Sequence, residues 1–478
     1  MITIYIPNKM VHFKLNKDIV TLGIGNIIRF FLLILYSRLQ TYFLSYEELS
    51  KFYLIFSVYT FFSFTIIGPI GVYVTRNIIE WYNSNQLIDA LKKVYFKIII
   101  PISLIALILI SSSSLFVDFD ANFIILGCLI SLIIIAKTGN ELIYPFFNLI
   151  DKNTIYLILI ILFHFLNPLF SYIAIELFSP TYDFWLLGLI LSNLIVGLIG
   201  LKLLFRVNKN QKKINLNFET IKSFSLYIMI GNLLGWILTD GFRFIAENEI
   251  GLTSVGILIL GLMGASQIFA NVENFLNQLL TPKYIQSISN SNYDKRSKAF
   301  NMMFNVAIPV YLILAIMTSL IAKYIIAVII DSSKINDLLI TAFIIGIWIE
   351  FLKSLINILK NISTSEYKTK SIVWPYFVGV IILILGFLFI NNLDIISISL
   401  LILTSYVFTF IFCILIFNHI IKIRLKILFM LKYIVPSIII GYFFYNLENS
   451  LYSFISIPVY LLLIYSLINQ YLNKTELS

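Results

Sequence analysis

The sequence predicts an all-α, polytopic integral membrane protein, and three observations support this fold class. Of the 478 residues, 60% are hydrophobic and 16% are aromatic. Only 12% are charged, whereas soluble domains carry about 25% charged residues. The mean hydropathy is +0.95 over the whole chain, so no stretch is polar enough to be a soluble enzyme held by one anchor. With only two cysteines, a disulfide-stapled secreted fold is also excluded.

Apolar runs predict about fourteen transmembrane helices, because about 20 such residues cross about 30 Å of hydrocarbon. Runs such as 155–162 do not alternate between apolar and polar residues, which argues against a β-barrel. The thirteenth span is short, and twelve or thirteen crossings remain open alternatives. The predicted spans are approximately 19–43, 52–75, 94–117, 122–149, 154–178, 183–205, 223–247, 253–280, 302–330, 337–359, 371–390, 395–417, 433–447 and 451–471.

The basic residues set the predicted orientation. With the N-terminus inside, the inner segments and the inner ends of the spans hold 26 of the 34 Lys and Arg residues. The outer side, with the outer end of span 9, holds Lys51, Lys323 and Lys334. This bias follows the positive-inside rule and predicts cytoplasmic N- and C-termini. The net charge of +10 is therefore explained by topology, and no nucleic-acid partner need be invoked.

The domain organisation follows from two groups of six spans. We predict an N-terminal lobe at 1–205, a basic cytoplasmic linker at 206–222, a C-terminal lobe at 223–417, and a final basic loop with spans 13 and 14 at 418–478. Each lobe opens with a helix that carries an arginine. Two such halves around a central cleft are typical of alternating-access transporters.

The motif search argues against an enzyme. The predicted outer loops are no longer than about eight residues, too short to hold an acceptor and a catalytic base. The chain has no P-loop and no HExxH motif, and we predict no metal and no cofactor. The segment 76–93 is amphipathic and predicts one helix at the cytoplasmic interface.

The candidate functional residues are polar and ionisable side chains inside the spans. Each charge costs at least about 2.5–3.5 kcal/mol at the centre of the membrane, so it should face a cavity or a partner. At helical periodicity they form stripes. These are Asn26, Arg29, Ser37 and Gln40 in span 1, with Arg38 opposite; Lys137, Glu141, Tyr144 and Asn148 in span 4; Asn232, Thr239, Asp240, Arg243 and Glu247 in span 7; Ser266, Gln267, Asn271, Glu273, Asn274, Asn277 and Gln278 in span 8; and Glu350, Lys353 and Asn357 in span 10.

Spacing separates pairs from single charges. Lys137–Glu141 and Arg243–Glu247 are four residues apart, whereas Asp240–Arg243 and Glu350–Lys353 are three apart. Such pairs either neutralise each other to allow insertion or serve the function, and spacing leaves both interpretations open. Arg29, Arg38 and Glu273 have no opposite charge at such a spacing in their own span. The charges inside the first half sum to +2 and those inside the second half to −2.

Several segments resemble bacterial polysaccharide transporters of the multidrug/oligosaccharidyl-lipid/polysaccharide (MOP) superfamily, most of all the Wzx-type flippases for O-antigen repeat units. The segments 37–39 and 44–52 resemble the outer hairpin after span 1 of that family, with Phe52 in place of a glycine. Segment 68–76 is similar to its Gly-rich end of span 2, and 236–244 to its Trp…Asp-Arg segment. Gly251 to Ile257 and 280–282 resemble the start and end of its span 8.

The resemblance implies a fourteen-helix, MATE-like fold in the bacterial inner membrane that moves a polyprenyl-diphosphate-linked oligosaccharide. Its diphosphate would bind Arg29 and Arg243, which would face each other, with Arg38 and Lys137 in support, since guanidinium groups recognise phosphate oxygens in bidentate geometry. An H⁺ or Na⁺ would exchange on Asp240, Glu273 or Glu350. Implied partners are the lipid-linked substrate, membrane lipids and other polysaccharide assembly proteins. The remaining cavity-lining candidates are Asn26, Gln40, Glu141, Asn232, Glu247, Asn271, Asn274 and Lys353.

Two alternatives remain open. A multidrug or organic-cation exporter of the same superfamily predicts an acidic first-half cavity, against which Arg29 and Lys137 argue. A membrane enzyme of glycan assembly is the alternative from a different class, and the short outer loops argue against it.

Overall fold

A computed structural model of the chain describes residues 2–6, 9–13, 17–113, 123–150, 152–207, 212–288, 293–366, 368–445, 457–460 and 462–467. From Lys17 onward, every regular element in these ranges is helical. The α-helices are α1 Lys17–Phe43, α2 Tyr46–Thr60, α3 Gly68–Asn83, α4 Leu87–Val94, α5 Ile100–Ser113, α6 Phe123–Leu149, α7 Asn153–Leu177, α8 Tyr182–Val207, α9 Phe218–Trp236, α10 Phe242–Ile288, α11 Tyr293–Leu320, α12 Ala322–Ile329, α13 Asp337–Ser365, α14 Val373–Phe389, α15 Ile395–Asn418 and α16 Ile427–Tyr445.

The predicted polytopic helical fold is confirmed. In the described ranges, ten helical stretches are long and apolar enough to cross a membrane, and they cover predicted spans 2 to 12. The 27-residue helix α1 takes the place of span 1. Two shorter apolar helices, Ile427–Tyr442 and Ile457–Leu467, lie where spans 13 and 14 were predicted.

A short hairpin precedes α1 and adds to the predicted all-α architecture. Its strands are β1 Ile2–Ile6 and β2 Lys9–Phe13, which pair antiparallel with Ile2 opposite Phe13.

One apolar stretch, Phe218–Asn274, holds two predicted spans. As a straight helix, its 57 residues would measure about 85 Å, almost three times the hydrocarbon thickness of about 30 Å. Gly251 interrupts it with φ 75° and ψ 164°, a conformation that is essentially open to glycine alone. The bend at Gly251 therefore separates spans 7 and 8.

The segment 76–93 differs from the single amphipathic helix that was predicted. α3 ends at Asn83, and α4 begins only at Leu87. Between them Asn85 has a positive φ of 62°, which asparagine tolerates better than most residues. The turn lets α4 bury Leu87 and Ala90 while its lysines stay nearer the surface.

Two compact units divide the chain. The first comprises Met1–Glu48 and Ile55–Ser225, and the second comprises Leu49–Leu54 and Leu226–Ser478. In the first unit, α7 packs against α8 and α1, and α6 packs against α5 and α8. In the second, α13 lies against α10, α11 and α15, while α14 packs on α15 and α16 packs on α11.

Glycine permits some of these close packings. A Cβ added to Gly188 of α8 would lie 2.3 Å from the backbone nitrogen of Ser171 in α7. A Cβ on Gly379 of α14 would lie 2.1 Å from Oγ1 of Thr409 in α15. Small residues at helix contacts are typical of membrane bundles, in which close van der Waals packing replaces hydrophobic driving force.

Candidate functional site

Arg29 lies on α1 and is half-buried. Its Nε atom is buried and has no hydrogen-bond partner in the described part of the chain. Tyr156 and His164, both from α7, are close enough to Arg29 to interact with it electrostatically. Gly25 allows this approach, since a Cβ there would lie 2.5 Å from Leu157 of α7. The packing of α1 on α7 therefore holds a guanidinium with an unused donor inside the first unit.

Lys137 of α6 is the second cation of this unit. Its Nζ lies 3.9 Å from Glu141, the pair predicted from the i,i+4 spacing. The same ammonium lies 5.1 Å from the ring centre of Phe56 and 4.8 Å from that of Tyr59. Two aromatic faces and one carboxylate thus stabilise the charge.

The other candidates on α1 differ in their surroundings. Gln40 is buried, whereas Arg38 is exposed. The side chain of Asn26 lies outside the described residues.

A π-helical segment, Phe61–Ile67, joins α2 to α3. A cavity of about 520 Å³ lies in the first unit between the end of this segment, α3 and α6. Arg76 and Glu141 give it one charge of each sign, and Thr75 and Thr138 add hydroxyl groups. Arg76 was assigned to a cytoplasmic loop in the sequence and was not among the predicted site residues. Its position at the end of the Gly-rich segment 68–76 is the signal that pointed toward it.

A second cavity of about 340 Å³ in the same unit is mainly apolar and lies between α4, α6 and α8. Asn140 of α6 lines it and donates to the backbone oxygen of Asn193 in α8 at 2.9 Å. Lys92 also lines it and places its Nζ 5.6 Å from the ring centre of Phe205.

In the second unit, Arg243 is buried and bonded to Asp240 at 2.7 Å. Its Nη1 also donates to the backbone oxygen of Tyr53 at 3.5 Å. A π-helical turn, Ile237–Gly241, precedes Arg243. The i,i+3 spacing therefore brings the carboxylate and the guanidinium together, although Gly241 and Phe242 separate them in sequence.

Two more carboxylates of this unit lie on facing helices. Glu350 of α13 is buried and paired with Lys353 at 3.0 Å, as its spacing predicted. Glu273 of α10 accepts hydrogen bonds from α13, at 2.9 Å from Asn357 Nδ2 and at 3.4 Å from Ser354 Oγ. In the described residues no cation lies within ion-pair distance of Glu273, so neutral donors hold it.

Lys360 is a residue of this cluster that the sequence reasoning missed. Its Nζ lies 4.7 Å from the ring centre of the buried Tyr376, and it interacts electrostatically with Glu273. Span 10 was predicted to end at residue 359, but α13 continues to Ser365. The sequence did contain a signal, since Glu350, Lys353 and Lys360 follow one helical stripe. Lys360 reduces the negative excess counted for the second half.

The remaining candidates of the second unit lie on α9 and α10. Asn232 and Glu247 are half-buried, and Asn274 is exposed. Asn271 donates to the backbone oxygen of Gln267 on its own helix at 2.6 Å. No group of three or more His, Cys, Asp or Glu side chains in the described ranges is arranged to hold a metal ion.

The chain matches no protein-family model, and no curated protein matches it significantly. Solved structures do match. A structure of the lipid II flippase MurJ in an inward closed conformation is 14% identical, with a TM-score of 0.64 over 96% of this chain and 99% of that chain. A crystal structure of a MATE point mutant is 14% identical, with a TM-score of 0.58 over 84% of this chain and 96% of its own.

An inward-facing multidrug resistance MATE family transporter of the MOP superfamily is 11% identical, with a TM-score of 0.54 over 85% of this chain and 99% of that chain. At such identities the likeness concerns the fold alone. The protein is therefore a multi-pass membrane protein with the helical fold seen in MurJ and MATE structures.

Proposed function

We propose that the protein is a flippase that moves a polyprenyl-diphosphate-linked oligosaccharide, such as an O-antigen repeat unit, across the bacterial inner membrane. The observation that carries this proposal is Arg29, whose Nε is buried and has no hydrogen-bond partner among the described residues. A buried donor atom without a partner is costly, and a diphosphate oxygen is the acceptor that a guanidinium recognises best. The lipid-linked substrate named for the MurJ structure supports the same substrate class.

The four predicted substrate-binding residues differ in how well their surroundings fit this role. Arg29 has a donor to offer, and Lys137 is half-buried with a 3.9 Å contact to Glu141. Arg243 is held by Asp240 at 2.7 Å, so a phosphate there would compete with a carboxylate. Arg38 is exposed. We therefore assign the diphosphate to Arg29 first and to Lys137 second, with Arg243 and Arg38 in secondary roles.

The proposed mechanism is alternating access. The diphosphate binds from the cytoplasmic side, polar side chains of the spans receive the glycan, and the polyprenyl chain stays in the bilayer. Rocking of the two halves then opens the site to the outside. Other polysaccharide assembly proteins would supply and receive the substrate.

Among the three carboxylates predicted to couple an ion, Glu273 fits best. Asp240 and Glu350 are ion-paired at 2.7 and 3.0 Å, so an ion that binds either carboxylate would compete with the cation already paired with it. Glu273 is held by the amide of Asn357 and the hydroxyl of Ser354. It can exchange H⁺ or Na⁺ without leaving a buried cation unpaired.

The test of the substrate assignment is Arg29→Ala. We expect loss of surface polysaccharide and accumulation of single lipid-linked repeat units on the inner leaflet, with unchanged protein abundance in the membrane. Arg206→Ala is the matched control, because it removes an exposed arginine at the end of α8 in the same unit. Normal export in Arg29→Ala would refute the assignment.

The test of ion coupling is Glu273→Gln, which keeps the shape of the side chain and an oxygen that can accept hydrogen bonds. Transport by reconstituted protein should lose its dependence on a proton or sodium gradient, while binding of the lipid-linked substrate persists. Transport that still follows the gradient in this variant would exclude Glu273 as the coupling group.

A multidrug or organic-cation exporter is the second candidate, favoured by the MATE-like fold and by the acids Asp240, Glu273 and Glu350. It predicts that Arg29→Ala leaves transport intact and that the protein confers resistance to cationic drugs. Drug efflux that persists in Arg29→Ala, without any effect on lipid-linked sugars, would favour this candidate.

A further inference from the structure

The loop between α15 and α16 is held against one face of α11. Four polar residues of α11, spaced four apart, are responsible: Tyr293, Ser297, Asn301 and Asn305. They bond to the backbone of Lys422–Lys426, called here the clamped basic segment. The bonds are Lys422 N to Tyr293 Oη (3.1 Å), Ser297 Oγ to Lys422 O (3.2 Å), Asn301 Nδ2 to Lys422 O (2.8 Å), Arg424 N to Asn301 Oδ1, Asn305 Nδ2 to Arg424 O (2.8 Å) and Lys426 N to Asn305 Oδ1 (2.6 Å).

The two asparagines act like the peptide groups of a neighbouring parallel strand. Each carboxamide donates to the oxygen of one residue and accepts from the nitrogen two residues later. Four residues of a helix rise about 6 Å, and two residues of extended chain advance about 6.6 Å. The spacing of Asn301 and Asn305 therefore matches every second peptide group of the segment, which keeps it extended.

This register places three cations side by side. In an extended chain alternate side chains share a face, so Lys422, Arg424 and Lys426 lie on the same face of the segment. Each is separated from the next by about 6.6 Å along the chain. All three are exposed. None of them forms an ion pair in the part of the chain that the structure describes. Because the backbone is fixed in advance, a ligand that binds them loses little free energy to ordering the segment.

The surroundings suit a bilayer surface. The apolar helix Ile427–Tyr442 follows directly, and Leu428 in its first turn is 86% exposed. The positive-inside bias predicts that the segment lies on the cytoplasmic side. Apolar side chains beside a row of exposed cations suit a lipid with acyl chains and a negative headgroup.

We propose that the clamped basic segment binds the headgroups of anionic glycerophospholipids of the cytoplasmic leaflet. The phosphate oxygens accept hydrogen bonds from Lys422, Arg424 and Lys426, while Leu428 contacts the acyl region. The site shares no residue with the Arg29 region and does not depend on the transported substrate.

The first test measures binding of phosphatidylglycerol and phosphatidylethanolamine to the purified full chain in neutral detergent by native mass spectrometry. Each cation near an anionic surface changes affinity about fivefold, so K422Q/R424Q/K426Q should weaken phosphatidylglycerol binding by at least about tenfold. Phosphatidylethanolamine binding should not change. The matched control, K152Q/K202Q/K222Q, removes three exposed lysines elsewhere and should have little effect.

The second test keeps the charge and removes the clamp. N301A/N305A retains all three cations but frees the segment, so phosphatidylglycerol affinity should fall severalfold while the net charge and the charge distribution that sets topology are unchanged. Equal phosphatidylglycerol affinity in wild type and K422Q/R424Q/K426Q would overturn the proposal. Equal loss in the K152Q/K202Q/K222Q control would overturn it too, because general electrostatics would then explain the binding.

Discussion

The contact between α7 and α8 allows a stability prediction with a defined sign. In Gly188→Ala, the new Cβ would meet backbone N and Cα of Ser171 at 2.3 and 2.4 Å, whereas ordinary contacts begin near 3.4 Å. Backbone atoms cannot rotate away, so the helices must separate by about 1 Å, a gap that forfeits a quarter to a half of each van der Waals contact at the seam. The hydrogen bond from Ser171 Oγ to Trp185 O at 3.1 Å would stretch as well.

The size of the effect follows from two opposing terms. Overpacking of a tight core costs about 1–3 kcal/mol, and Ala gains up to about 1 kcal/mol over Gly in helix propensity. We therefore expect Gly188→Ala to lower the free energy of unfolding by about 1–2 kcal/mol. The assay is thermal unfolding of the purified protein in detergent, followed by tryptophan fluorescence.

Gly139→Ala on α6 is the matched control in the same unit. There the nearest atom to the added Cβ is Tyr95 Cε2 at 3.7 Å, an ordinary contact. Only the gain in helix propensity remains, so the midpoint of thermal unfolding should equal that of the wild type or exceed it. A Gly188→Ala protein as stable as the wild type, or Gly139→Ala showing the larger loss, would show that close packing at Gly188 does not limit stability.

Two further predictions concern a glycine and a helix cap in the second unit. Gly251→Ala places a Cβ on a residue with φ 75° and ψ 164° and should lower the free energy of unfolding by about 1–3 kcal/mol. The cost comes from backbone strain alone, because no atom lies within 4 Å of the added Cβ. We expect a lower midpoint of thermal unfolding, and an unchanged midpoint would contradict the prediction. Asp394 caps α15 by accepting from Ser397, which lowers the pKa of its carboxyl. Because that pKa is depressed in the folded state, its stabilisation is present above the unfolded pKa of about 3.9 and is lost as the pH falls through the lower folded value. Asp394→Ala should therefore lower the free energy of unfolding by about 0.5–2 kcal/mol at pH 7. In acid the difference from wild type should be smaller. A difference in the free energy of unfolding that does not change with pH would contradict this prediction.

Local spacing predicted several contacts correctly. Lys137–Glu141, Asp240–Arg243 and Glu350–Lys353 are all present as ion pairs. Each pair lies within one or two helical turns, where the helix itself sets the distance between side chains. Hydropathy likewise located the spans, because burial in hydrocarbon demands apolar residues over a known length.

Contacts between distant segments could not be predicted in this way. Asn305 meets Lys426 across 121 residues, and Glu273 meets Asn357 across 84. Neither pair has a local signature, since polar residues in helices also suit other partners. Lys360 was missed for a different reason, because the basic residue after an apolar run marks the apparent end of a span even where the helix continues.

Composition and local periodicity were enough to predict the fold class, the approximate spans and the ion pairs between neighbouring residues. The bilayer and the helix translate these properties directly into structure. What neighbouring helices supply to a charge became visible only once the helices were packed together, since α7 brings Tyr156 and His164 to Arg29 and α13 brings Asn357 and Ser354 to Glu273. The physical reason is that a partner on another helix has no fixed spacing in the sequence, whereas the ion-pair partners of Arg243 and Glu350, Asp240 and Lys353, lie only three residues away.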